Sequence, residues 1–233
     1  MSRPGRASKL KHKDLVALIE GGVPSRGGTW ADLGAGEGNF TRALADLLGP
    51  DARITAIDKD ARALRSIDDP IETRVADFTR PLDLHDLDGV VMANSLHYVR
   101  DKQPVLEAVR RMLRPGGRLI VVEYGADRGN PWVPYPFTYP QWEKMAARAG
   151  FRNTRLLKTV PSRWLGSMYS AVSEATPLPE GERVGERGWG PAKRPGSATP
   201  PAALRGARGA GASSAESSRS GGRPPARRHR RQG

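Results

Sequence analysis

From residue 29 to residue 123, short apolar or β-branched runs alternate with stretches whose apolar residues recur every three to four positions. The runs Thr29–Leu33, Arg53–Asp58, Glu72–Ala76, Asp88–Asn94 and Leu119–Glu123 predict five strands. Between them, Phe40, Leu44 and Leu47 mark one helix ending near Gly49-Pro50, and Val105, Leu106, Val109 and Leu113 mark another over Pro104–Leu113. A leading amphipathic helix is predicted over Leu10–Ile19, with Leu15, Leu18 and Ile19 on one face and Gly21-Gly22 as its stop. Tyr139–Ala149 reads as a helix ended by Gly150. Thr154–Val160 and Trp164–Val172 read as strands separated by Pro161-Ser162-Arg163. Strand–helix alternation of this kind predicts a doubly wound α/β domain. From Thr176 onward the pattern stops. Large aliphatics shrink to Leu178, Val184 and Leu204, and Gly, Pro, Ala, Ser and Arg dominate. Such a segment buries too little apolar surface to offset chain entropy, so disorder is predicted.

The first strand runs into the densest chemical signal, Trp30–Phe40, which reads WADLGAGEGNF. An acid, Asp32, is followed by glycine at 34, 36 and 38, and then by the helix. A glycine turn ahead of a helix N-terminus lets a ligand approach bare backbone and unpaired N–H groups. The spacing departs from the dinucleotide fingerprint G-x-G-x-x-G, whose third glycine would fall where Asn39 stands. Asp58 follows Gly38 by 20 residues and ends the second strand. A carboxylate there suits the two neighbouring hydroxyls of a ribose. The alternative use of Asp58, as a helix cap, falls better to Asp60.

The run Asp-x-Gly-x-Gly-x-Gly from Asp32 to Gly38 resembles motif I of class I S-adenosylmethionine-dependent methyltransferases. Three further stretches resemble that family in the right order. Asp77-Phe78 follows the third strand. Asn94-Ser-Leu-His-Tyr98 follows the fourth, at the place of motif IV. Leu113-Arg-Pro-Gly-Gly117 forms the turn before the fifth. The resemblance covers residues 9–174. It implies a Rossmann-like doubly wound sheet of seven strands, mostly parallel, closed by an antiparallel C-terminal hairpin. It implies S-adenosylmethionine as cofactor, held by Asp32, Gly34, Ala35, Gly36, Gly38, Asp58, Lys59, Asp77, Phe78 and Asn94. Asp58 would take the ribose, Asp77 and Phe78 the adenine, and Asn94 the methionine part. His97 and Tyr98 are the candidate catalytic residues, with His97 weighed as a base against a histidine without catalytic duty. NSLHY lacks the proline of the amino-adenine methylating members, which argues against that acceptor. Trp132 and Tyr135, in the loop Tyr124–Thr138, are read equally as acceptor-pocket walls or as a hydrophobic lid. His12 and Lys13 are read as solvated surface, with a cofactor contact as the alternative. Arg163 is read as exposed. The implied chemistry is in-line methyl transfer, where the protein mainly aligns the partners and excludes water.

Composition narrows the partners. The net charge is +13, and residues 176–233 hold 12 Lys/Arg against 4 Asp/Glu. The basic excess is therefore concentrated in the tail 175–233 and in a short basic arm, 1–8, both expected to be disordered. Two readings of the tail stand: a basic arm for nucleic acid, or translated non-coding sequence past an ancestral stop near Glu174, which we prefer. There is no cysteine, hence no disulfide and no thiolate chemistry. The histidines at 12, 85, 97 and 229 show no ligand spacing, so no metal is expected. The N-terminus lacks a signal-peptide core and no apolar run would span a bilayer, which points to a cytoplasmic enzyme. The acceptor is expected to be a small molecule. The alternative is an RNA or protein methyltransferase guided by arm and tail. A nucleotide-binding oxidoreductase is disfavoured by the glycine spacing.

Overall fold

A computed structural model describes residues 10–162 and 164–178. These all fall in one compact unit, Met1–Gly190. The expectations for the arm 1–8, for most of the tail and for Arg163 concern residues outside the described set.

The chain opens with α1 (His12–Ile19), which buries Leu18 and Ile19 and ends in a 3₁₀ turn over Glu20–Gly22. Then come β1 (Gly28–Leu33), α2 (Asn39–Leu48), β2 (Ala52–Asp58), α3 (Ala61–Leu64) and β3 (Glu72–Val75). They are followed by β4 (Leu87–Ala93), a 3₁₀ turn at Leu96–Tyr98, α4 (Gln103–Met112) and β5 (Leu113–Tyr124). Last come α5 (Tyr139–Arg148), β6 (Phe151–Pro161) and β7 (Ser167–Ala175). The strands form one sheet in the order β3-β2-β1-β4-β5-β7-β6. β1 to β5 run parallel, and β7 is antiparallel to both β5 and β6. This is the doubly wound, mostly parallel seven-stranded sheet with a terminal antiparallel hairpin that the motifs imply. No helix among the described residues is long and apolar enough to cross a membrane.

Central strands of such a sheet are covered on both faces and read as continuous apolar runs. β4 shows this: six of its seven residues are buried. On one face Leu33, Val90, Met92, Leu119 and Val121 pack against Leu106 and Val109 of α4 and Trp142 of α5. On the other, Trp30, Val91, Ile120 and Val122 pack against Leu18 and Ile19 of α1 and Leu44 and Leu48 of α2. β6 is the edge and is mostly exposed.

Two local expectations change. The Leu113–Gly117 segment is not a free turn but the opening of β5. Leu87 pairs with Leu113 and Gly89 with Arg118, so the extra residues bulge out between two paired positions, with Gly116 at φ +77°. The hairpin lies later than expected. β6 continues to Pro161 and β7 starts only at Ser167, so Trp164 sits in the connecting turn rather than in a strand. That turn is closed by Ser162 N–H donating to Gly166 O, at 2.9 Å. Beyond β7 the chain is tied down by Arg110, a buried residue of α4. Its guanidinium donates to Gly150 O (3.0 Å), to Thr176 O (2.7 Å) and to Pro177 O.

Candidate active site

A cleft of about 910 Å³ opens at the carboxyl ends of the parallel strands. Open α/β sheets bind ligands at that end, where the strand order reverses. Here the reversal lies between β1 and β4, which leave the shared centre of the sheet with β2 on one side and β5 on the other. The floor is the glycine turn. Gly34 sits at φ +81°, and a Cβ there would lie 2.3 Å from the Ser95 Cβ, so only glycine lets the turn pass the start of the β4 loop. At Gly36, φ +54°, an added Cβ would meet nothing within 4 Å, so its open side leaves backbone for a ligand to touch. Its N–H donates to Asp58 Oδ2 (2.8 Å), which ties β2 to the turn.

Two buried oxygens in the cleft-lining residues have no partner. Asp32 accepts from the Thr41 hydroxyl through Oδ2 (2.6 Å), while Oδ1 is unpaired. Burial pushes this carboxyl up to about 7. Asn94 follows β4 at φ +53°, a left-handed conformation that asparagine tolerates, and its Oδ1 is also unpaired. Buried polar atoms are normally bonded. Two orphan acceptors in one cleft lining call for a ligand that donates, such as an ammonium group.

The expected site residues separate into groups. Asp32, Gly34, Ala35, Gly36 and Asn94 line the cleft. Gly38, at φ +78°, is the N-cap of α2 behind it. Asp58 stands at its edge, with Oδ1 accepting from Asp60 N–H (2.8 Å), and Asp60 caps α3 through Arg62 N–H (2.8 Å). Lys59 and Asp77 are exposed. Asp77 is held below the usual carboxylate range by the Thr79 hydroxyl (2.7 Å) and N–H (2.9 Å). Phe78 packs beside Gly34, its Cε1 3.3 Å from where a Cβ would stand.

His97 lies apart from the cleft lining. It is buried, and its Nδ1 is 2.8 Å from Glu123 Oε2. Glu123 is fully buried, and its Oε1 accepts from the backbone N–H groups of Leu96 (2.9 Å) and His97 (3.2 Å). The pairing assigns the Nδ1 proton to the bond with Glu123 and leaves Nε2 as the free acceptor, and Nε2 has no partner. The imidazole touches the Tyr98 ring (4.3 Å between centroids) and the Tyr124 ring (5.4 Å), and Tyr124 lines the cleft. Tyr98 is 60% exposed. Trp164 lines the cleft, and the ring of Trp132 lies against it with centroids 5.9 Å apart. Glu123, Thr41 and Tyr124 carry no signal in the sequence that singles them out. Glu123 is the last residue but one of β5, 26 residues from its partner, and nothing local marks it.

A family model described as "Methyltransferase domain" matches residues 31–119. The ubiquinone/menaquinone biosynthesis C-methyltransferase UbiE of Hahella chejuensis is 32% identical over 108 residues, covering 42% of this chain and 43% of that protein. The highly reducing polyketide synthase aurA of Calcarisporium arbuscula is 27% identical over 165 residues, 57% of this chain and 7% of that protein. Among solved structures, the CurJ carbon methyltransferase aligns with TM-score 0.57 at 23% identity, covering 68% of this chain and 51% of that one. Residues 31–119 thus match a methyltransferase domain, and the chain is similar to class I S-adenosylmethionine-dependent methyltransferases. It spans less than half the length of the curated relatives named here. Haemonchus contortus phosphoethanolamine N-methyltransferase 2 shares the methyltransferase fold at TM-score 0.60 and 14% identity, covering 71% of this chain and 53% of that one. The family cofactor carries an ammonium group and a nucleoside, and the residues here fit both. The orphan oxygens of Asp32 and Asn94 suit the ammonium, and the open backbone at Gly36 beside Asp58 suits the ribose.

Proposed function

We propose that this methyltransferase acts on an acidic carbon of a small molecule, with His97 as the base. The observation that carries the reading is the buried His97–Glu123 pair with its free Nε2. Nitrogen and oxygen acceptors present a lone pair and can react without a dedicated buried base. A carbon acceptor has no lone pair until a proton leaves. A histidine fixed by a carboxylate, with the other ring nitrogen free to accept, meets that need. The comparison with proteins named as C-methyltransferases supports the same class of acceptor.

In this reading Asp32 and Asn94 hold the cofactor's ammonium, and Asp58, helped by Lys59, takes the ribose. Asp77 and Phe78 flank the adenine, and Gly34 to Gly38 shape the turn. S-adenosylmethionine supplies, when bound, a methyl group on a positively charged sulfur. His97 Nε2 takes the carbon's proton, and Glu123 holds the imidazole through Nδ1 and balances its charge once protonated. Tyr98, whose ring lies against the imidazole, moves aside to admit the acceptor. Tyr124, between cleft and imidazole, keeps water from the path. The RNA or protein methyltransferase alternative rests on the arm and tail, outside the described residues, and no described feature favours it. The lack of cysteine suits a reducing compartment, and we assign the enzyme to the cytoplasm.

The test is hydrogen–deuterium exchange at the acceptor carbon. A panel of enolisable and phenolic small molecules is incubated in heavy water with the enzyme and S-adenosylhomocysteine, so that no methyl can transfer. Exchange catalysed by the wild type and lost in His97→Gln is the expected result. Methylation of a nitrogen or oxygen acceptor that survives His97→Gln overturns the reading.

A further inference from the structure

Two tryptophans stand in water beside the cleft. Trp132, in the loop after β5, is 63% exposed, and Trp164, in the β6–β7 turn, is 43% exposed. Their rings lie against each other, and Trp164 lines the cleft together with Pro161 and Met168. One amide holds both segments. Asn130 Oδ1 accepts from the N–H groups of Trp132 and Val133, each at 2.9 Å, and its Nδ2 donates to Trp164 O at 3.4 Å. Backbone bonds close the same turn, Asn130 N–H to Val133 O (3.0 Å) and Val133 N–H to Asn130 O (3.1 Å). Gly129 lets the chain fold back there, since a Cβ would lie 2.3 Å from Pro134 O. Val133 is buried with the side chains of the α1–α2 face and anchors the turn to the sheet. In the other segment, Trp164 N–H donates to Ser162 Oγ (3.1 Å).

Exposed aromatic surface continuous with a cleft marks a place that a ligand covers. The same loop also reaches the proposed base, because Tyr135 N–H donates to His97 O at 3.0 Å. One short segment therefore touches the His97 region and carries one ring of the pair. Among the described lining residues the acids Asp32, Glu37 and Asp46 outnumber the bases His12 and Arg42, a balance that repels an anionic lipid surface. We propose that Trp132 and Trp164 clamp an apolar arm of the methyl acceptor, with Asn130 as the positioning residue of the clamp. The reacting carbon lies at His97, and the arm runs outward over the two rings. The proposal rests on reading the cleft as the methyl-transfer site. It adds to that reading a property of the acceptor, apolar surface beyond its reacting part, and a residue that selects for it.

The experiment is calorimetric titration of the full chain, saturated with S-adenosylhomocysteine, with 4-alkylphenols of increasing chain length from 4-methylphenol to 4-octylphenol. The wild type is expected to gain about 2- to 4-fold in affinity for each methylene that the rings cover. Trp132→Ala and Asn130→Ala should each flatten that gain, while the affinities for 4-methylphenol and for S-adenosylhomocysteine stay within about twofold. Circular dichroism separates the rings' position from their presence. The touching indoles give an exciton couplet in the wild type, and Asn130→Ala should lose it although both tryptophans remain. Asn130→Asp keeps the accepting oxygen without the NH₂ and should retain part of both signals. Affinity that does not grow with chain length in the wild type overturns the proposal. A gain that survives in both alanine variants, or a couplet that survives in Asn130→Ala, does so too. Binding to phosphatidylcholine vesicles that Trp132→Ala abolishes would make the pair a membrane contact and also overturns it. Failure of the wild type to bind S-adenosylhomocysteine is a separate result, visible before any variant is made, and it would remove the methyl-transfer reading and this inference with it.

Discussion

Glu123 and Tyr124 are neighbours in β5, yet they serve opposite faces of the sheet. Tyr124 lies on the α1–α2 side and lines the cofactor cleft. Glu123 points to the α4–α5 side and holds His97. The alternation of side chains along a strand is enough to put the two tasks on consecutive residues. The two regions differ in how their polar groups are paired. The cleft has acceptors waiting for a donor, at Asp32 and Asn94. The His97 region has its carboxylate fully used by three donors and a single acceptor, Nε2, left over. A region built to bind keeps several groups unsatisfied, whereas a region built to move one proton keeps one.

The comparison breaks most readily at Glu123. Glu123→Gln leaves an amide oxygen for the two backbone donors but puts an NH₂ against Nδ1, reversing the imidazole's tautomer. Turnover is expected to fall by about 10²- to 10³-fold, while the calorimetric affinity for S-adenosylhomocysteine stays within about twofold. A loss of cofactor binding in this variant would show that the two faces are not separable. On the other side, Gly34→Ala combines a strained φ with a Cβ 2.3 Å from Ser95. It should abolish cofactor binding and cost about 2–4 kcal/mol in urea unfolding. Ser95→Gly should relieve the clash and leave only the roughly 1 kcal/mol backbone part.

Asp32 supplies a pH signature. Its carboxyl is raised to about 7 in the folded protein against 3.8 for the ordinary group. Between those values the folded state binds more protons than the unfolded one. Stability therefore falls as pH rises from about 4 to 7 and is level above. Asp32→Asn should remove that part of the slope, about 2–4 kcal/mol across the interval, in unfolding series at stepped pH. Over the same interval the wild type should gain affinity for S-adenosylhomocysteine as Asp32 ionises to meet the ammonium. The smallest effect is expected at the mouth. Trp132, 63% exposed, should raise the acceptor KM by a few-fold on replacement by Ala, with cofactor affinity unchanged.

What the sequence disclosed, and what it hid, follows from the range of the interactions. Gly34, Gly36 and Asp60 were legible because their tasks are local: a close approach, a turn, a cap. The central parallel strands β1, β4 and β5 were legible because burial on both faces leaves apolar runs, whereas β3 is an edge strand with no buried residue. Glu123 was not, because its link to His97 exists only once β4 pairs with β5, with Ala93 beside Val122. Trp164 was misplaced by three residues because an aromatic among Leu and Met reads as strand, and Gly166 at φ +54° is what holds it in the turn. His12 carried no signal beyond its helix, since its partner, Asp46, lies 34 residues away.

The Arg110 clamp has a consequence for modularity. β7 runs against the parallel strands, so its last residue, Ala175, lies at their amino-terminal pole, where Arg110 grips Thr176 and Pro177. Thr176 and Pro177 are thus held at the end of the sheet farthest from the mouth. A cut made after Leu178 would spare that clamp and fall far from substrate traffic. Such a boundary lets a gene acquire or shed a tail without asking the chemistry's permission.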